Sequence, residues 1–124
     1  MDVEISELRW HLLSALTAHD YRVVGLDCVA VTEALSACAY DPTRHLPAGE
    51  DEPPVAKSKQ RLTRVIEIEL VGSDNATLRK LAVAAIELAQ EVKHSGTPTR
   101  QEAGVAADAV ILVANIIRRL REPT

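Results

Sequence analysis

Four histidines are the side chains of this 124-residue sequence best suited to acid–base or metal chemistry near neutral pH. They are spread along the chain: His11, His19, His45 and His94. Metal, phosphate and serine-nucleophile sites use characteristic spacings, and the sequence contains no H-E-x-x-H, G-x-x-x-x-G-K-[ST], G-x-G-x-x-G or G-x-S-x-G motif. We therefore expect neither a metal nor a cofactor, and we expect the histidines to be exposed or to cap helices. A cluster of three histidines brought together by the fold stays open as an alternative.

The surroundings of His94 set it apart from the other three histidines. It ends a stretch that reads as a helix, and Thr99 to Glu102 then form a T-x-x-E capping box that starts another helix. An imidazole exchanges protons at neutral pH, and the guanidinium of nearby Arg100 suits the charge of a phosphoryl group. His94 and Arg100 are therefore the candidate catalytic residues. Alternatively, Lys93 and His94 only complement the helix dipole.

This segment resembles the last two helices of the higher eukaryotes and prokaryotes nucleotide-binding (HEPN) superfamily. The resemblance lies in a helix that ends in a histidine, a short turn with Gly96 and Pro98, the T-x-x-E start, and a long helix rich in alanine and valine. It covers about residues 78–120. The resemblance implies a helical bundle that dimerises about a two-fold axis and a histidine that acts in RNA cleavage with an upstream arginine.

The chain departs from that family pattern at the arginine. The corresponding positions hold Glu87, Leu88 and Ala89, and Gln90 stands where the family has a polar residue beside the arginine. Neither a carboxylate nor a methyl group offers a positive charge to phosphate. The resemblance therefore implies a catalytically impaired interaction or regulatory module, in bacterial defence or toxin–antitoxin systems, rather than an enzyme.

Two other functions stay open at this point. One is a metal-independent ribonuclease toxin that uses His94, with Arg100 or a second subunit's arginine at the phosphate. The other is a general oligomerisation or effector-recruiting helical domain, which would show an exposed apolar patch too large for a monomer. We expect a homodimer, with a further protein partner or RNA as additional candidates and no membrane contact.

Periodicity predicts an all-α fold, an up-and-down bundle of four or five helices with one long Pro-rich loop, in a single domain over residues 1–124. The predicted helices cover about 3–18, 20–40, 57–71, 74–94 and 99–121, and residues 41–56 are expected to be a flexible loop. The segment 57–71 also alternates like a strand, but no second strand is available to pair with it. The apolar stripe of the first predicted helix includes Leu16. That of the second includes Cys28 and Cys38, which we expect to be buried thiols rather than a redox or metal pair.

The composition limits the classes of partner that we expect the protein to bind. With 14 basic and 18 acidic residues the formal net charge is −4, so no global positive field attracts nucleic acid. The sequence has no Phe, and its only Trp and Tyr residues are Trp10, Tyr21 and Tyr40. This leaves little aromatic surface on which nucleic-acid bases could stack. The acidic start of the chain and the lack of a long apolar run predict a cytoplasmic protein. Asp108 and Asn115 are expected to face water.

Overall fold

The computed structural model describes residues 1–94 and 96–123, without the side chains of residues 93 and 94. It contains six helices and one 3-10 turn: α1 Asp2–Ser14, α2 Ala18–Ala39, α3 Pro42–His45, α4 Ser58–Glu69, the turn Ser73–Asn75, α5 Ala76–His94 and α6 Arg100–Leu120. The described ranges contain no strand, which confirms the all-α prediction and the helical interpretation of residues 57–71.

Helix α2 is the centre of the bundle, since it packs against α1, α4, α5 and α6. Helices α5 and α6 form the most extensive pair, and the core between the helices is aliphatic. Small residues let the helices approach closely: a Cβ atom added at Gly25 on α2 would lie 3.3 Å from Val92 Cγ1 on α5. The alanines predicted to line the last two helices are buried with the exception of Ala84: Ala82, Ala85, Ala89, Ala103, Ala106, Ala107 and Ala109.

The turn between α1 and α2 differs from its prediction. Helix α1 ends at Ser14, and Thr17, not Asp20, caps α2, because the Thr17 hydroxyl accepts the Asp20 N–H while the Asp20 carboxylate accepts the Thr17 N–H. This reciprocal capping box resets the helical phase. Leu16, which the periodic stripe of α1 placed in the core, is instead 83% exposed.

The prediction of one long flexible loop over 41–56 is not confirmed. Residues 42–45 form α3, and the chain beyond it is attached to α4. Arg61 donates to the Pro53 carbonyl at 2.7 Å, and Arg64 forms an ion pair with Glu50 at 2.6 Å. The prolines and acidic residues that suggested disorder are therefore held by two arginines on the neighbouring helix.

The two cysteines are both free but differ in burial. Cys28 is fully buried, and burial raises the pKa of its thiol to about 12. Cys38 is exposed, so the prediction that both thiols are buried is wrong for Cys38. The two residues lie on one helix, ten positions apart, which is too far for a disulfide.

Asp108 and Asn115 are exposed on α6, as predicted. In the part of the chain that the structure describes, no helix combines the length and apolar character needed to cross a bilayer.

Candidate functional site

The turn between α5 and α6 carries the predicted catalytic pair. Arg100 lies exposed in the first turn of α6, and the predicted capping box is present, with Thr99 Oγ1 3.1 Å from Glu102 N and Glu102 Oε1 3.1 Å from Thr99 N. His94 is the last residue of α5, and its side chain lies outside the described part of the chain. Its pairing with Arg100 therefore stays a prediction.

A cavity of about 220 Å³ lies between α5 and α6 close to this turn. Leu88, Val92 and Val105 supply its apolar wall, and two carboxylates, Glu91 and Glu102, stand beside Gln101 at its edge. The side chains of residues 93 and 94 lie outside the described part of the chain, and among the described lining residues the only charged ones are these two glutamates. Their negative charge opposes a phosphate group at this edge of the cavity.

The other arginines of α6 lie at its opposite end, where each has an acidic partner. Arg118 pairs with Asp2, Arg119 pairs with Glu122 at 3.1 Å, and Arg121 pairs with Glu69 at 3.0 Å. Cations in this position also complement the negative end of the helix dipole. Since α6 has 21 residues, about 30 Å separates these arginines from the turn that carries His94.

A buried polar cluster joins α3, α4 and the end of α6, and sequence reasoning missed it. His45 is fully buried, with Nδ1 accepting the Asp41 N–H at 2.9 Å and Nε2 lying 2.8 Å from Glu69 Oε2. Because Nδ1 accepts, Nε2 carries the proton and donates to Glu69. Arg121 Nη2 donates to the same carboxylate oxygen and, at 3.1 Å, to the Ala39 carbonyl. We call His45, Glu69 and Arg121 the His45 clasp.

The chemistry of the clasp is structural. Both ring nitrogens of His45 are occupied and the ring has no exposed surface, so it cannot exchange a proton with a bound substrate. Tyr40 packs against the ring at 5.8 Å between centroids, and the Arg61 guanidinium lies 4.5 Å from the centre of the Tyr40 ring. The prediction of an exposed histidine is wrong for His45, although its ring does accept the N–H of Asp41, the N-cap residue of α3. Its second partner, Glu69, lies 24 residues away, beyond any local pattern.

A second histidine–carboxylate pair joins α1 to α2. His11 Nδ1 lies 2.5 Å from Asp27 Oδ2, with the His11 side chain 39% exposed and that of Asp27 15% exposed. Such a pair can move protons, but it needs a nucleophile or a third ligand to make a catalytic or metal site. Throughout the described ranges, no three His, Cys, Asp or Glu side chains form a group that could hold a metal ion.

The outer face of α1 is unusual because it exposes large apolar side chains to solvent. Val3, Trp10, Leu13 and Leu16 are 68%, 70%, 85% and 83% exposed, while the inner face of the same helix buries Ile5 and Leu8. We call these four exposed residues the α1 ridge. Positions 3 and 10 are two helical turns apart and Leu13 follows three residues later, so this part of the ridge was predictable from the sequence. Leu16 lies beyond the end of α1 at Ser14.

Comparisons of the chain with family models, with curated proteins and with solved structures found no match. The function proposed below is therefore based on the residues of this chain alone.

Proposed function

We propose that this protein is a non-catalytic helical interaction module that forms a homodimer through the α1 ridge. In this proposal it is a HEPN-like bundle with an impaired catalytic motif that acts as a regulatory or recruiting element in bacterial defence or toxin–antitoxin systems. The observation that carries the proposal is the exposure of Trp10 and Leu13 on α1, whose other face is already buried in the core, together with Leu16 in the turn that follows the helix.

A helix that is apolar on opposite faces is usually covered on both. The inner face of α1 packs on α2 and α6, whereas the outer face meets only solvent. Single exposed leucines are common in soluble proteins, but here a tryptophan and two aliphatic residues are exposed along one helix and Leu16 is exposed in the turn after it. Patches of this kind mark protein–protein contacts.

The area of the α1 ridge fits a second copy of the chain. From the exposed fractions, its four side chains present on the order of 600 Å², so surrounding residues must supply the rest of the roughly 800 Å² per partner of a standard interface. A two-fold contact places the same patch on both subunits. The ridge residues are uncharged, and the exposed Glu7 and Arg9 on the same helix carry opposite charges that can pair across such a contact.

Two features favour a non-catalytic role. Among the described residues, the cavity beside the α5–α6 turn is bordered by the carboxylates of Glu91 and Glu102. Glu87 is exposed on α5, within the three positions that correspond to the family's arginine. A phosphate in transfer needs positive charge nearby, and these carboxylates supply the opposite sign.

The test of the dimer is sedimentation equilibrium of the wild-type protein and of Leu13→Lys. A charge in the middle of a dry apolar contact removes its central anchor, so we expect the dissociation constant to rise on the order of 100-fold. Val71→Lys is the matched control, since Val71 is 71% exposed but lies between α4 and α5, outside the ridge. A wild-type protein that stays monomeric at high micromolar concentration would overturn the proposal, as would equal effects of the two variants.

The ribonuclease alternative has its own test. The purified protein is incubated with single-stranded and structured RNA in the presence of a metal chelator. We expect no cleavage above that of a matched His94→Ala preparation. RNA that is cut by the wild type, and not by His94→Ala or Arg100→Ala, would contradict the impaired-motif proposal and favour the toxin.

A further inference from the structure

Large apolar side chains line the outer side of the α5–α6 pair, away from the α1 ridge. Leu81, Val105 and Leu112 are 49%, 47% and 36% exposed, and Leu88 is partly buried beside them. Leu81 and Leu88 are seven residues apart on α5, and Val105 and Leu112 are seven apart on α6, so each pair occupies one face of its helix over two turns. We call these four residues the α5–α6 seam.

The two rows of the seam run side by side. Helices α5 and α6 form the most extensive helix pair of the fold, and a short turn joins them, so they are antiparallel. At the end near that turn lies the cavity of about 220 Å³ whose apolar wall is Leu88, Val92 and Val105. A groove between two helices with one deeper pocket is the surface that an amphipathic helix fills, with one side chain in the pocket and others three, four and seven positions along it.

The described charges beside the cavity are negative. Glu91 and Glu102 border it. Asp108 is exposed on α6 about one turn from both Val105 and Leu112, so a third carboxylate lies beside the seam. Three carboxylates around one apolar groove favour a partner with lysine or arginine side chains, because charge complementarity selects the partner and fixes its orientation.

Few described cations offset these carboxylates. Arg100 is exposed, but it lies about 200° around α6 from Glu102, on another side of the helix. Lys80 is exposed at the far end of the seam, where Arg119 pairs with Glu122 at 3.1 Å. The seam is therefore net negative over the described side chains, and the whole chain has a formal charge of −4. A second copy would bring the same negative charge, whereas a basic helix complements it.

We propose that the α5–α6 seam binds a basic amphipathic helix of a partner protein. One large apolar side chain of that helix fills the cavity, and the next apolar side chains along it pack on Leu81 and Leu112. Its lysine or arginine side chains pair with Glu91, Glu102 and Asp108 at the end near the turn. The seam lies on other helices than the α1 ridge, so this proposal does not depend on the dimer.

The test is the fluorescence anisotropy of a labelled peptide titrated with the full-length protein. The probe is a peptide of about 14 residues with leucines at helical positions i, i+3, i+7 and i+10 and lysines on its other face. One control peptide has glutamate in place of each lysine, and a second has the lysine peptide's residues in scrambled order. We expect a micromolar dissociation constant for the lysine peptide and values at least about tenfold higher for both controls.

Variants of the protein locate the binding surface. Leu81→Ala removes apolar contact and Glu91→Gln removes one negative charge, so each should weaken binding of the lysine peptide about fivefold. Leu26→Ala and Glu33→Gln are the matched controls, because both residues are exposed on α2, outside the seam. No binding by the wild type at high micromolar concentration, equal binding of the lysine and glutamate peptides, or equal losses in the seam and control variants would overturn the proposal.

Sedimentation separates the seam from the dimer. Leu81→Ala should leave self-association unchanged, and Leu13→Lys should leave binding of the lysine peptide unchanged. Self-association that is weakened by Leu81→Ala would assign the seam to a second copy of the chain and overturn the proposal. Failure of the α1 dimer alone would appear as a monomeric wild type that still binds the lysine peptide.

Discussion

The His45 clasp and the α1 ridge reverse the usual distribution of side chains. In the clasp, a histidine with no exposed surface and a glutamate whose side chain is 8% exposed lie inside the protein. In the ridge, the single tryptophan of the chain and two leucines lie outside, each at least 70% exposed. The polar groups of the clasp have partners within the chain, whereas the apolar groups of the ridge have none among the described residues.

The two regions differ in what their unusual side chains explain: those of the clasp hold the fold together, and those of the ridge have no role within the described part of the fold. The buried hydrogen bond from His45 to Glu69, together with the partly exposed ion pair of Glu69 with Arg121, connects α3, α4 and the end of α6. An apolar surface that faces water has no such internal explanation, because burying it elsewhere would lower the free energy. The unusual buried groups therefore describe how the fold is assembled, and the unusual exposed groups are the basis of the proposed dimer.

The largest expected effect comes from breaking the clasp with Glu69→Ala. This change leaves the buried His45 N–H and the Arg121 guanidinium without their acceptor, so we expect the free energy of unfolding to fall by about 3 kcal/mol. Glu67→Ala, an exposed glutamate on the same helix, is the matched control and should change stability by less than about 0.5 kcal/mol. Urea unfolding followed by circular dichroism measures both; equal losses would show that the clasp contributes no stability.

The ridge should show the opposite behaviour. In dilute solution, where the monomer dominates, Leu13→Lys should change the free energy of unfolding by less than about 0.5 kcal/mol, because Leu13 is 85% exposed. At high concentration the wild type should gain stability from dimerisation while the variant does not. A large loss in the dilute variant would mean that Leu13 supports the monomer fold, and the contrast between the two regions would disappear.

The smallest expected effect concerns a group between these extremes, the exposed but hydrogen-bonded carboxylate of Glu102. The Thr99 N–H holds the pKa of Glu102 below its ordinary value of 4.5. A lowered folded-state pKa means that the stabilisation is present above about pH 4.5 and is lost as the pH falls through the folded-state value. Thermal unfolding from neutral pH to about pH 3 should therefore show a shallower acid decline in Glu102→Gln than in the wild type.

The exposed Asp108→Asn on the same helix is the control for that series and should follow the wild type. If Glu102→Gln and the wild type lose stability in parallel as the pH falls, the capping carboxylate does not contribute to the pH dependence of stability.

Local patterns predicted much of the fold. The spacing of apolar residues gave the long helices, and the T-x-x-E box gave the start of α6, because both depend on residues within four positions of each other. Leu16 was misplaced because the capping box at Thr17 begins a new helix and ends the period of α1. A stripe identifies the inner face of a helix only as far as the helix continues.

The candidate sites were less predictable because they are assembled from distant segments. His45 and Glu69 meet across 24 residues, and Arg121 joins them from a further 52 residues along the chain. No spacing rule connects such positions. Most of the α1 ridge was predictable, since Val3, Trp10 and Leu13 lie on one helix within ten residues of each other.

The central claim, that the α1 ridge is covered by a second copy, is tested most directly through Trp10. As the sole tryptophan, it reports its own environment in the fluorescence of the wild-type protein. We predict that its emission moves to shorter wavelength as the concentration rises from nanomolar to high micromolar, in step with dimer formation, and that Leu13→Lys abolishes the shift. An emission spectrum that stays that of a solvent-exposed tryptophan at every concentration would contradict the account.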